Sequence, residues 1–296
     1  MNARSSPFSG RVFPDPFPPL CASAWGDDRF GLWCEIDVGG VVQRLRWIEP
    51  GEFWKGSDES ERLRHVPSDF GVWELWWMSE GPPSVARIEE GFWLADTACT
   101  RELWAAVMGP ESPRWVNAEP GLPRDQLNWA QLTGGGGFLD RLSATLTGCN
   151  ATLPTDVEWE YACRAGTNTA FFFGDSPSIS QINAGQGARL LPVKALPCNS
   201  WGLYQMHGNV WEWCAHGNSL AIGSMSAGDD SLEKRDFRLL RGGAWNFELG
   251  WARSAARYPG PPDDGAVGFG FRFALRSIEP SAGGGTQAGA EAGGAR

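Results

Sequence analysis

Asn199-Ser-Trp-Gly-Leu-Tyr-Gln-Met-His-Gly-Asn-Val-Trp-Glu-Trp213 divides the chain. From here on, short apolar runs alternate with glycine turns, the pattern of short strands. Downstream, Phe237, Leu239 and Arg241 lead into Gly242-Gly243, and Phe269, Phe271 and Phe273 alternate with Gly270 and Arg272. That period of two predicts a strand with one aromatic face. Upstream lies Leu153-Pro-Thr-Asp-Val-Glu-Trp-Glu-Tyr-Ala-Cys-Arg-Ala-Gly-Thr167, which reads as a helix. Thr155 and Glu158 form a capping box, Asp156 adds negative charge near the positive end of the dipole, Glu160 and Arg164 pair at i,i+4, and Gly166 is the expected stop.

Further upstream, Phe30, Leu32, Val41, Leu45 and Trp47 suggest strands parted by the Gly39-Gly40 turn. Residues 55–84 show no clean period and read as loop. Thr100 to Gly109 predicts a capped helix with Leu103, Trp104 and Val107 on one face. Gly134 to Gly137 interrupt a helical pattern over 127–147, which implies a short helix, a loop and a second helix. Helices early and strands late give an α+β class. Residues 1–24 read as an irregular lead, 25–276 as the folded domain, and 277–296 as a flexible Gly/Ala tail.

Composition agrees. Gly 39 and Pro 21 make up about a fifth of the 296 residues, and Trp 17 and Phe 16 stand against Tyr 3. That favours loops and short strands over a helical bundle. The net charge of −10 excludes the basic footprint of a nucleic-acid binder. No apolar run approaches the ~18 residues of a membrane span, and the Pro-broken start has no apolar region of a signal peptide. The odd Cys count of 7, without tight spacing, fits reduced and mostly buried thiols in a cytoplasmic protein.

Catalytic signals are sparse. His65, His207 and His216 are scattered without metal-ligand spacing. There is no Cys-x-x-Cys, no nucleophile elbow, and no phosphate-binding fingerprint after Gly242-Gly243. Asp263-Asp264 beside Pro261-Pro262 reads as a solvated turn.

Taken together with Leu240-Arg-Gly-Gly-Ala-Trp-Asn246, Ala252-Arg-Ser-Ala-Ala-Arg257 and Gly270-Phe-Arg272, the 153–167 and 199–213 segments resemble the formylglycine-generating enzyme (sulfatase-modifying factor) family. Trp47-Ile-Glu-Pro-Gly-Glu-Phe53 and Gly91-Phe-Trp-Leu94 look like its early strands, so the similarity covers roughly residues 40–275. The resemblance implies an α+β, C-type-lectin-like fold, rich in loops. It does not carry activity with it. The family's enzymes oxidise a substrate cysteine to formylglycine with copper held by two cysteines. The matching positions here are Phe247 and Ala252, with Ala244 at the Ser of the Gly-Gly-Ser motif, and no Cys follows Cys214. Copper(I) needs soft ligands, so no copper is expected. A second branch holds iron through a His-rich motif, which three scattered His do not supply.

A third branch, the variable proteins of diversity-generating retroelements, uses the same scaffold for binding. By that resemblance the ligand-binding candidates are Phe247, Glu248, Leu249, Trp251, Ala256, Tyr258, Gly260, Asp264, Ala266, Val267 and Phe269, with Gly250 and Pro261 between them. Rigid aromatics beside adaptable small residues suit recognition. Phe247, Trp251, Tyr258 and Val267 are expected on one exposed face, over Trp245, Phe271 and Trp213. The family also binds calcium, which carries over to Asn209, Val210 and Glu212 as hard oxygen ligands. Asn183 matches part of a second family site whose Asp-bearing stretch is shortened here. The alternative reading of Glu212 is a buried carboxylate held by backbone amides. The expected function is non-catalytic binding of a protein or small molecule, with no nucleic acid and no membrane span. The rivals are an oxidoreductase-type or other modifying enzyme with a rebuilt site and a structural or signalling module that binds a protein partner.

Overall fold

A computed structural model describes residues 12–65, 80–110, 119–185, 188–215 and 237–278. His216 and the Gly/Ala tail beyond Ile278 lie outside the described residues. The Gly39-Gly40 turn forms as read: both glycines have positive φ, 61° and 87°, and Asp37 Oδ1 accepts from the Gly40 amide at 2.7 Å. It joins β2 (Gly31–Val38) to β3 (Val41–Ile48), and β1 (Ala24–Asp28) pairs with the far side of β2. β4 (Gly51–Lys55) and β5 (Ser84–Ile88) make a separate ribbon. With β6 (Phe92–Ala95), β7 (Cys149–Thr152) and β12 (Ala274–Ser277), the main sheet has six strands in the order β1-β2-β3-β6-β12-β7. A second sheet has the order β10-β9-β8-β11, built from β8 (Trp211–Trp213), β9 (Arg238–Arg241), β10 (Arg257–Gly260) and β11 (Phe269–Gly270).

The segment 55–84, read as loop, contains a helix, α1 (Glu59–His65). Asp58 starts it by accepting the Glu61 amide at 2.7 Å, and tertiary ion pairing of Glu61 holds it, a contact no local period records. The helices expected from their caps form. In α2 (Arg101–Met108) Thr100 accepts the Leu103 amide, and Gly109 ends it at φ 95°. The glycine run separates α3 (Trp129–Thr133) from α4 (Phe138–Thr145). α5 (Asp156–Arg164) shows both halves of the Thr155/Glu158 capping box. Its left-handed cap is Ala165, one residue before the glycine expected to stop it.

The run 269–273 is not one strand. The chain leaves β11 after Gly270 and enters β12 at Ala274, crossing from one sheet to the other. The intervening carbonyls of Phe271 and Phe273 accept from Cys99 and Ala95. All three phenylalanines are buried, and Phe271 packs edge-on to Phe138 at 4.9 Å. The described part of the lead, residues 12–23, forms no strand or helix, but it is packed. Phe17 stacks on Trp93 and meets Trp25 edge-on. Among the described residues no helix is long and apolar enough to cross a membrane.

Candidate binding face

β9 runs into Gly242-Gly243, where φ values of 92° and 75° turn the chain back over β8. A Cβ at Gly243 would come within 2.9 Å of Ala252 Cα, so only glycine allows this close approach. The returning chain makes a 3-10 turn at Leu249–Ala252 and then pairs β10 against β9. This brings four of the candidate aromatics together. Phe247, Trp251 and Tyr258 surround Trp211 at ring distances of 5.5, 6.1 and 5.3 Å, and Tyr258 meets Phe269 at 5.7 Å.

They do not share one exposed face. Trp251 is 5% exposed and Phe269 1%, and Ala256 and Gly260 are also buried. The 3-10 turn points Trp251 inward at Trp211, and Gly260 is pressed on Leu240 and Trp213. These four positions belong to the floor of the face. Trp213 and Phe271 lie in the core as expected, whereas Trp245 is only half-buried.

What reaches solvent is a rim. Glu248 and Val267 are exposed, and Phe247, Leu249, Tyr258, Asp264 and Ala266 are half-buried. Gly268 abuts Asn246, which sets the Val267 loop beside the 246–248 turn. Burial pushes the Tyr258 phenol up, and the nearby Asp264 carboxylate adds to this, so the rim presents a neutral hydroxyl next to a negative charge.

Two buried charge networks, absent from the sequence reading except for one pair, fix the floor. Glu160 receives Arg164 at 2.9 Å and Arg241 at 2.5 Å, which ties α5 to β9. Burial alone would raise its carboxyl, but Arg241, Arg164 and Arg257 hold it below the usual range. Arg253, just past the 3-10 turn, pairs with Glu80 at 2.6 Å and Glu61 at 2.8 Å. Burial outweighs that pairing at Glu61, whose carboxyl is raised. The (i,i+4) spacing showed Glu160–Arg164. The other partners lie far away in sequence and left no local signal.

Two of the three residues expected to hold calcium have other partners for their side-chain oxygens. Glu212 Oε2 accepts from Arg272 Nε at 2.6 Å and Trp159 Nε1 at 2.7 Å, and Oε1 accepts from Arg272 Nη2 at 2.8 Å. Asn209 Oδ1 accepts from Asn183 Nδ2 and the Leu191 amide at 2.9 and 3.0 Å. Val210 is packed against Ala98 and Val193. Asn183 does meet Asn209, but through its donor. A carboxylate neutralised by arginine and an amide oxygen occupied by N–H donors do not fit a calcium shell, which needs several oxygens turned to one point.

The copper positions do not fit either. Phe247 presents a ring, and Ala252 is buried, with its carbonyl accepting from His207 Nδ1 at 2.6 Å. The Cys163 thiol lies 3.8 Å from His207 Nε2 and from Ser254 Oγ, and burial pushes it up to about 12. At neutral pH it is a thiol, a poor metal ligand and nucleophile. Among the described residues no three His, Cys, Asp or Glu side chains are grouped to hold a metal.

Comparison with known proteins agrees with this scaffold. Residues 40–277 match the sulfatase-modifying factor enzyme 1-like domain model. Serine/threonine-protein kinase pkn1 of Chlamydia caviae is 36% identical over 81% of this chain and 39% of its own length. Formylglycine-generating enzyme of Bos taurus is 33% identical over 58% of this chain and 48% of its own. The chain thus spans less than half the length of either relative. Treponema denticola variable protein 1 superimposes with a TM-score of 0.60 at 21% identity, covering 82% of this chain and 99% of that one, and so shows the shared fold. The strands and turns that carry the candidate face lie inside the matched region, and the chain belongs to the sulfatase-modifying factor enzyme 1-like domain family.

Proposed function

We propose that this chain is a non-catalytic binding protein that uses the rim at 246–248 and 264–267, over an aromatic floor, as its contact surface. One observation carries the reading. At the positions that the family resemblance matches to two copper thiolates, this chain has Phe247, a half-buried phenyl ring packed on Trp211, and Ala252, a buried alanine. Neither can bind copper(I), so the oxidation of a substrate cysteine has no centre to proceed at. The rim combines an apolar side chain, Val267, with the Glu248 and Asp264 carboxylates and the Tyr258 hydroxyl. Such a mixture suits a protein or small-molecule ligand with apolar and hydrogen-bonding groups.

The purified chain, supplied with copper(I), oxygen and a cysteine peptide of the sulfatase type, is expected to yield no aldehyde product from the peptide. Conversion of the cysteine to an aldehyde would overturn the proposal in favour of a rebuilt oxidoreductase. The finer reading, a rim diversified by a retroelement, predicts a template copy of the 3′ coding end beside a reverse transcriptase gene in the flanking DNA.

A further inference from the structure

Two thiols far apart in the chain meet where the segment before β1 touches the start of β7. Leu20 lies so close to Gly148 that a Cβ there would sit 2.8 Å from Leu20 Cδ1. The next residue on each side is a cysteine, which makes Cys21 and Cys149 neighbours across this contact. Both thiols are free; Cys149 is buried and Cys21 half-buried. β1 and β7 are the two edges of the six-stranded sheet, so the contact ties the segment leading into one edge strand to the other edge strand.

We propose that Cys21 and Cys149 form an oxidisable dithiol site, which a low-molecular-weight disulfide converts into an intramolecular disulfide linking the two edges of the main sheet.

The neighbouring Cys21 side chain holds the Cys149 thiol down at about 7, and the same contact pushes Cys21 up. Near neutral pH a substantial fraction of the pair therefore carries one thiolate. Solvent reaches the site through Cys21. The thiolate attacks one sulfur of the small disulfide, breaking its S–S bond and releasing one small thiol as a mixed disulfide forms on the protein. The second cysteine loses its proton, attacks the protein sulfur of that mixed disulfide and expels the second small thiol. Two protein thiols are oxidised, and one small disulfide is reduced to two thiols. Competing cysteines are less suited. Burial raises the Cys34, Cys163 and Cys214 thiols, and Cys198 has the Tyr204 phenol for its neighbour.

The test is to incubate the reduced full chain with oxidised glutathione under native conditions. Its intact mass should fall by the two hydrogens of one disulfide, and an acid-quenched digest should contain a peptide linking Cys21 to Cys149. The reaction should quicken as pH rises through about 7. Cys21→Ser and Cys149→Ser should each abolish the link, whereas Cys198→Ser should not. Reduced Cys21→Ser should melt with the reduced parent, showing that the fold is retained, and the oxidised parent should melt several degrees higher. A persistent glutathione adduct on Cys21, a link through Cys34, or survival of both thiols would overturn the proposal.

Discussion

Replacing Glu212 by Ala removes the acceptor for three N–H bonds and leaves Arg272, fully buried, without a counter-charge. Breaking one side of a buried ion pair costs about 3–5 kcal/mol. Glu212→Ala should therefore lower the denaturation midpoint sharply, and a calcium chelator should leave the parent's midpoint unchanged. A chelator-induced drop that the variant lacks would restore the calcium reading. The Gly-Asn-Val-Trp-Glu-Trp run located this carboxylate and both of its possible roles. Its partner Arg272 lies 60 residues onward, and no local spacing can encode that distance.

The same limit governs the elements of the binding face. Capped helices were legible because each cap is a pattern of three or four adjacent residues, as at Thr100 and Thr155. The fate of Trp251 was not legible, because it depends on the 3-10 turn and on Trp211 from another strand. Exposure of Glu248 and Val267 matched the reading of a loop, whereas Phe269 was claimed by the core where β11 joins β8. Substitution should separate floor from rim. Trp251→Ala should cost about 3–5 kcal/mol through the cavity it leaves. Glu248→Ser and Val267→Ser should each stay within about 0.5 kcal/mol of the parent. Chemical denaturation of the three variants checks the division, and similar losses in all three would erase it.

For the molecule as a whole, the acid limb of stability follows from His207. Burial holds its folded-state value down at about 4, although the Ala252 carbonyl favours the charged ring; Arg164 lowers it slightly further. The unfolded chain takes up this proton near 6.5, so the stabilisation is complete above that pH and is lost as the pH falls towards about 4. The loss is roughly 3 kcal/mol. Glu160, held low, adds its own loss below the ordinary carboxylate range. Urea midpoints measured across this window should fall with acid, and His207→Gln should flatten the upper part of the fall. An unchanged slope would show that His207 does not set it. The alternation of burial along the returning chain also bears on how the protein can change over evolutionary time. Asn246, Glu248, Asp263 and Val267 are exposed, while Gly243, Ala252, Arg253 and Phe269 between and around them are buried. Codons at the four exposed sites can therefore drift, or be randomised in a library, almost independently of the folding constraint. Substitution at those sites would change the chemistry of the rim while the buried residues keep the framework's shape.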